Sequence, residues 1–202
     1  MPRFESNPDR IAYFETAGWR AYYDHHWLRL LRLLVLLCQE QFRVPFPLSI
    51  IGAYYVTRAS VAWVPADHDV QKVLRFYEQF YRLTLRYSGL EFNPTEVARL
   101  ELEYNDVHRR LSGNPDKTEL IATLIQLHQA LFGLDGAQVQ ESAMFRCEAL
   151  TVVDLITHHD STDKEADWHK IEAQLQACYR SLDRAYRLAH DLPESTRLDP
   201  QK

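Results

Sequence analysis

Three Asn-Pro pairs, Asn7-Pro8, Asn93-Pro94 and Asn114-Pro115, each stand just ahead of a helical pattern. Asparagine accepts hydrogen bonds from the free N–H groups of a first turn, and proline at the next position lacks an N–H that would go unsatisfied there. Each pair therefore predicts a helix start. Thr162 and Glu165 have the three-residue separation of a capping box and predict a fourth. Gly89, Gly113 and Gly133 supply stops. With only 6 glycines and no sustained alternation of apolar and polar residues, a turn-rich β architecture is excluded.

The punctuation predicts an all-α chain of about seven or eight helices, near 8–23, 25–43, 47–63, 69–88, 94–112, 115–132, 137–159 and 163–190. The first two are short enough of punctuation to be read as one continuous helix. The last has the clearest amphipathic period, with Trp168, Ile171, Leu175, Cys178, Leu182, Ala185 and Ala189 recurring every three or four positions. Val70, Val73, Leu74, Tyr77, Phe80, Tyr81 and Thr84 give the fourth a similar stripe. The second and third helices are apolar on nearly every side, which predicts that these two form the centre of the bundle. One helical domain over 1–190 is expected, with a polar, mobile tail over 191–202.

A membrane span would need roughly 20 apolar residues. Trp27 to Cys38 is shorter and carries Arg29 and Arg32, while Leu48 to Val64 carries Arg58 near its middle. Buried core helices are therefore expected and membrane association is not, with an interfacial helix at Trp27 to Cys38 as the alternative. A net charge of -5 gives no general attraction to phosphate, so nucleic acid is not an expected partner. Arg75, Arg82 and Arg86 among aromatics read as a solvated face over core residues. Cys38, Cys147 and Cys178 are widely spaced within helical patterns, as reduced core thiols would be. The first residues carry Pro2 and Glu5 where an export signal would be apolar, and the expected location is the cytoplasm.

Charge inside apolar stretches marks where polar chemistry could lie. Arg58 is the only charge between Leu48 and Val64, so burial there predicts a carboxylate partner, with Glu101 and Asp154 the first choices. Arg146 lies on the stripe Val139, Ala143, Arg146, Ala149, Val153. Glu101, Tyr104 and His108 share an inward face of the fifth helix, Asp154 and His158 are one turn apart on the seventh, and His128 shares a face with Leu124, Leu131 and Phe132. These residues predict either a buried polar network that fixes helix register or a ligand pocket.

A metal site would draw on Glu101, His108, Asp154 and His158, whose oxygen and nitrogen donors suit iron or manganese. The paired Glu-x-x-His motifs of di-iron bundles are absent. Asp24-His25-His26, Asp67-His68-Asp69 and His158-His159-Asp160 fall at helix junctions, where aspartate caps first turns. No Gly-rich phosphate loop or G-x-S-x-G elbow occurs. The expected function is that of a cytoplasmic helical accessory or interaction protein, acting on a protein partner or as a homo-oligomer. The alternative is a ligand-binding bundle or a non-haem metal-dependent oxidoreductase.

Overall fold

The computed structural model describes residues 6–192. The tail expected over 191–202 falls outside the described residues from 193 onward. Eight helices account for the fold: α1 (Pro8–Tyr23), α2 (Trp27–Phe42), α3 (Leu48–Trp63), α4 (Val70–Ser88), α5 (Pro94–Arg110), α6 (Thr118–Phe132), α7 (Gly136–Thr157) and α8 (Lys164–Ala189). No strand occurs among the described residues.

The capping logic holds for α1 and α5. Asn7 Oδ1 accepts from the N–H groups of Asp9 and Arg10 at 3.1 and 3.2 Å, and Asn93 Oδ1 from those of Thr95 and Glu96 at 3.0 and 3.4 Å. The third pair behaves differently. Asn114 Oδ1 accepts from Asp116 N–H at 2.9 Å and Asp116 Oδ1 from Thr118 N–H at 3.0 Å. Two successive side-chain turns thus delay α6 to Thr118. At α8 the cap is Asp163, which accepts from Glu165 and Ala166, rather than Thr162. A break at Asp24 to His26, with His25 in the left-handed region at φ 59, separates α1 from α2.

Each helix packs on the next in sequence, and α8 returns onto α1, so the bundle closes into a ring. Ile171, Leu175 and Cys178 on α8, Val139, Ala143 and Ala149 on α7, and Leu120 and Leu124 on α6 are fully buried. Full burial of a leucine or isoleucine side chain contributes roughly 1.5–3 kcal/mol.

The expectation that the second and third helices are central is corrected. α2 buries only Leu33, Cys38 and Phe42, and α3 only Ser49, Gly52, Ala53 and Ala59. The small residues of α3 face inward because the helices approach closely: a Cβ on Gly52 would lie 3.2 Å from Cys38 Sγ. Ile50, Ile51, Tyr54 and Val61 are left outside.

Candidate functional site

Three features place chemistry-bearing side chains, two inside the ring and one on its edge. The first surrounds Arg146. Its position on the inward stripe of α7 carries the guanidinium to the axis, where Nη2 and Nη1 donate to Glu15 of α1 at 2.7 and 3.3 Å. Tyr179 of α8 donates its hydroxyl hydrogen to Glu15, and the rings of Trp19 and Tyr104 lie 5.8 and 5.7 Å from the guanidinium carbon. Beside this group the Tyr81 hydroxyl donates to Glu101 Oε2 at 3.1 Å, while Asn105 Nδ2 donates to the Glu101 carbonyl at 2.6 Å and to Tyr77 Oη at 3.3 Å.

Burial dominates the electrostatics. It raises the Glu101 carboxyl above the ordinary glutamate value, a shift that Arg146 and the Tyr81 hydroxyl moderate without cancelling. Burial likewise opposes charge on Arg146, but Glu15 with Tyr179 and Tyr104 together outweigh it and hold the guanidinium protonated. His128 is driven down to about 3 by burial and by Arg146. It is neutral, with Nδ1 2.8 Å from Ser142 Oγ.

The second feature centres on Asp154, buried near the end of α7. Oδ1 lies 3.2 Å from His108 Nε2 and accepts from Ser112 Oγ at 2.7 Å. Oδ2 accepts from Lys117 Nζ at 3.0 Å and from the Gly113 N–H at 3.3 Å. Lys117 also donates to the Leu111 carbonyl at 2.7 Å. Gly113 can make its turn because φ is +76, and a Cβ there would press on His158 at 3.3 Å. Burial alone would raise the Asp154 pKa, but the hydrogen bonds from His108, Ser112 and Lys117 overcome it and hold the carboxyl well below the usual range. The carboxylate thus fastens the α5–α6 connection to α7.

Ser112 Oγ also lies 3.1 Å from His158 Nε2, which brings serine, histidine and aspartate together. Their order is wrong for acyl transfer. Asp154 accepts from the serine itself instead of orienting His158, and it is too weak a base to take the serine proton.

The same geometry does not bring the four expected metal donors together. His108 and Asp154 meet, but Glu101 is engaged by Tyr81 and His158 by Ser112. Among the described residues no three His, Cys, Asp or Glu side chains converge as a ligand group. Iron or manganese therefore has no common point at which those four donors would bind.

Arg58 is a second correction. It is exposed, its guanidinium carbon lies 5.2 Å from the Phe76 ring centre, and neither Glu101 nor Asp154 reaches it. It opens onto a surface cleft of about 310 Å³ with His68, Asp69 and Lys72. An apolar neighbourhood in sequence identified burial for Arg146 because its helix is central, and misidentified it for Arg58 because α3 is peripheral.

Sequence reasoning missed Glu15, Tyr179, Ser112 and Lys117. The spacing Ile11, Glu15, Trp19 carried a signal for the first, since it sets a carboxylate on an apolar stripe. The loop residues had none.

The third feature is the outer face of α2 and α3. Nine of the sixteen large apolar side chains exposed among the described residues lie between Trp27 and Val64. Leu28 is 87% exposed, Phe46 70%, Val61 63% and Trp27 56%, joined by Leu31, Ile50, Ile51 and Tyr54. On α3 the fully buried positions are the small residues Ser49, Gly52, Ala53 and Ala59, and Leu48, Tyr55, Val56 and Trp63 pack half-buried on the core, yet Ile50, Ile51, Tyr54 and Val61 still face outward.

The chain matches no protein-family model, no curated protein and no solved structure.

Proposed function

We propose that this protein is a helical interaction module that docks through the outer face of α2 and α3 and performs no chemistry of its own. The outer face of α3 with its α2 neighbours carries the reading: water does not favour a contiguous surface of Leu28, Leu31, Ile50, Ile51, Tyr54 and Val61. A covered surface removes that penalty. The interior charges support the same reading, because Arg146 pairs with Glu15 and Asp154 with Lys117, although the buried Arg146 Nε has no hydrogen-bond partner. Three buried, unpaired cysteines suit a reducing compartment such as the cytoplasm.

A photoreactive residue placed at Leu28 or Ile51 in cells tests the proposal, with the exposed Lys170 of α8 as control position. Adducts of defined mass are expected from positions 28 and 51 and not from 170. Equal labelling at all three positions, or none at 28 and 51, would contradict it.

A further inference from the structure

We infer that the surface covering α2 and α3 is an anionic lipid headgroup layer, on which the two helices lie flat. The inference rests on the docking proposal above and names its partner.

Three observations point to lipid. The first is the outer apolar face: two helices that approach closely at Gly52 and Cys38 and still hold Leu28, Leu31, Ile50, Ile51, Tyr54 and Val61 outward are matched to an apolar surrounding. Inside the α2–α3 contact even the polar groups are satisfied, Gln39 Nε2 donating to Ser49 Oγ at 3.0 Å. The second is charge. Residues 27–64 hold four arginines and one carboxylate in a chain of net charge -5. That carboxylate, Glu40, is turned back to Arg10 at 3.1 Å and to the Asn7 N–H at 3.3 Å. The α2 side of the outward face thus presents Arg29 and Arg32 beside Leu28 and Leu31 with no exposed carboxylate on either helix, while Arg58 at the far edge shares its cleft with Asp67, Asp69 and Lys72. Basic side chains at the edge of an apolar face lay their stems along it and lift the charge to phosphate. The more acidic remainder of the molecule would be repelled, which orients the bundle.

The third is length. α2 and α3 have 16 residues each, about 24 Å at 1.5 Å per residue, against roughly 30 Å of bilayer hydrocarbon. No described helix is long and apolar enough to cross a membrane. The pair fits along a surface rather than through it. A second copy docked face to face is a poorer occupant, because a two-fold contact between the α2 faces sets Arg29 and Arg32 against their own copies, with no exposed carboxylate on either helix to pair them.

The test is cosedimentation of the full chain with vesicles of mixed phosphatidylserine and phosphatidylcholine, against phosphatidylcholine alone. Binding to the mixed vesicles is expected, weakening as salt is added. Leu28→Glu with Ile51→Glu should abolish it, and Arg29→Glu with Arg32→Glu should weaken it by at least about tenfold. Circular dichroism should show both variants as helical as the parent. Absence of binding, or binding unchanged in the Leu28→Glu, Ile51→Glu variant, overturns the inference. Sedimentation velocity separates this failure from that of the docking proposal. A dimer that the same two substitutions return to monomer, without vesicle binding, would reject lipid and keep the docking face.

Discussion

Arg146 and Glu15 are each other's counterion, so removing one strands a buried charge. Arg146→Ala should destabilise the fold by about 3–5 kcal/mol in urea unfolding, whereas Arg146→Met with Glu15→Gln should recover much of the loss. If Arg146→Met, Glu15→Gln and the double substitution are simply additive, the ion pair does not carry the coupling assigned to it. Glu101 and Asp154 make opposite pH predictions. The folded Glu101 carboxyl is raised, so its contribution is full below the ordinary glutamate value, about 4.3, and is lost as pH rises through the folded value. Glu101→Gln should therefore be at least as stable as the parent at neutral pH, with the margin narrowing in acid. The folded Asp154 carboxyl is depressed, so its contribution is full above the ordinary aspartate value, about 3.9, and fades as pH falls below it. Asp154→Asn should cost about 3 kcal/mol at neutral pH and progressively less in acid, read from unfolding midpoints across the pH range.

Helices α7 and α8 bury most of their inward faces, while α2 and α3 bury three and four residues. Native-state hydrogen exchange should thus be slowest in α7 and α8 and measurably faster in α2 and α3. Leu175→Ala should cost about 2–5 kcal/mol and Leu28→Ala less than about 0.5 kcal/mol, because Leu175 is fully buried and Leu28 is not. The helices themselves were legible because caps and period are local: Asn7, Asn93, Gly89 and Gly133 act where their chemistry predicts. Which helix is central was not. All-round apolarity in α2 and α3 fits burial and an apolar surrounding equally well, and sequence spacing cannot distinguish them. For the same reason Arg146 was recognised as buried while Arg58 was misplaced. His108 and Asp154 were legible as inward groups that converge, but Ser112 and Lys117 reach Asp154 only through a loop whose path no periodicity describes.

At the scale of the whole molecule the ring closes where α8 meets α1. Arg146, Glu15 and Tyr179 join α7, α1 and α8 on the inside, and Arg20 with Glu165 and Arg180 with Asp9, each at 2.7 Å, join α1 and α8 on the outside. The exposed pairs contribute little in water, so the interior group should govern this closure. On the proposed reading the polar interior holds the shape and the α2–α3 edge docks. Hydrogen exchange of the full chain, with and without vesicles containing phosphatidylserine, tests that division of labour most directly. Slowed exchange confined to residues 27–64, with α5 to α8 unchanged, is the predicted result. Slowing centred on Arg146 and Asp154 while 27–64 exchanges as before would contradict it.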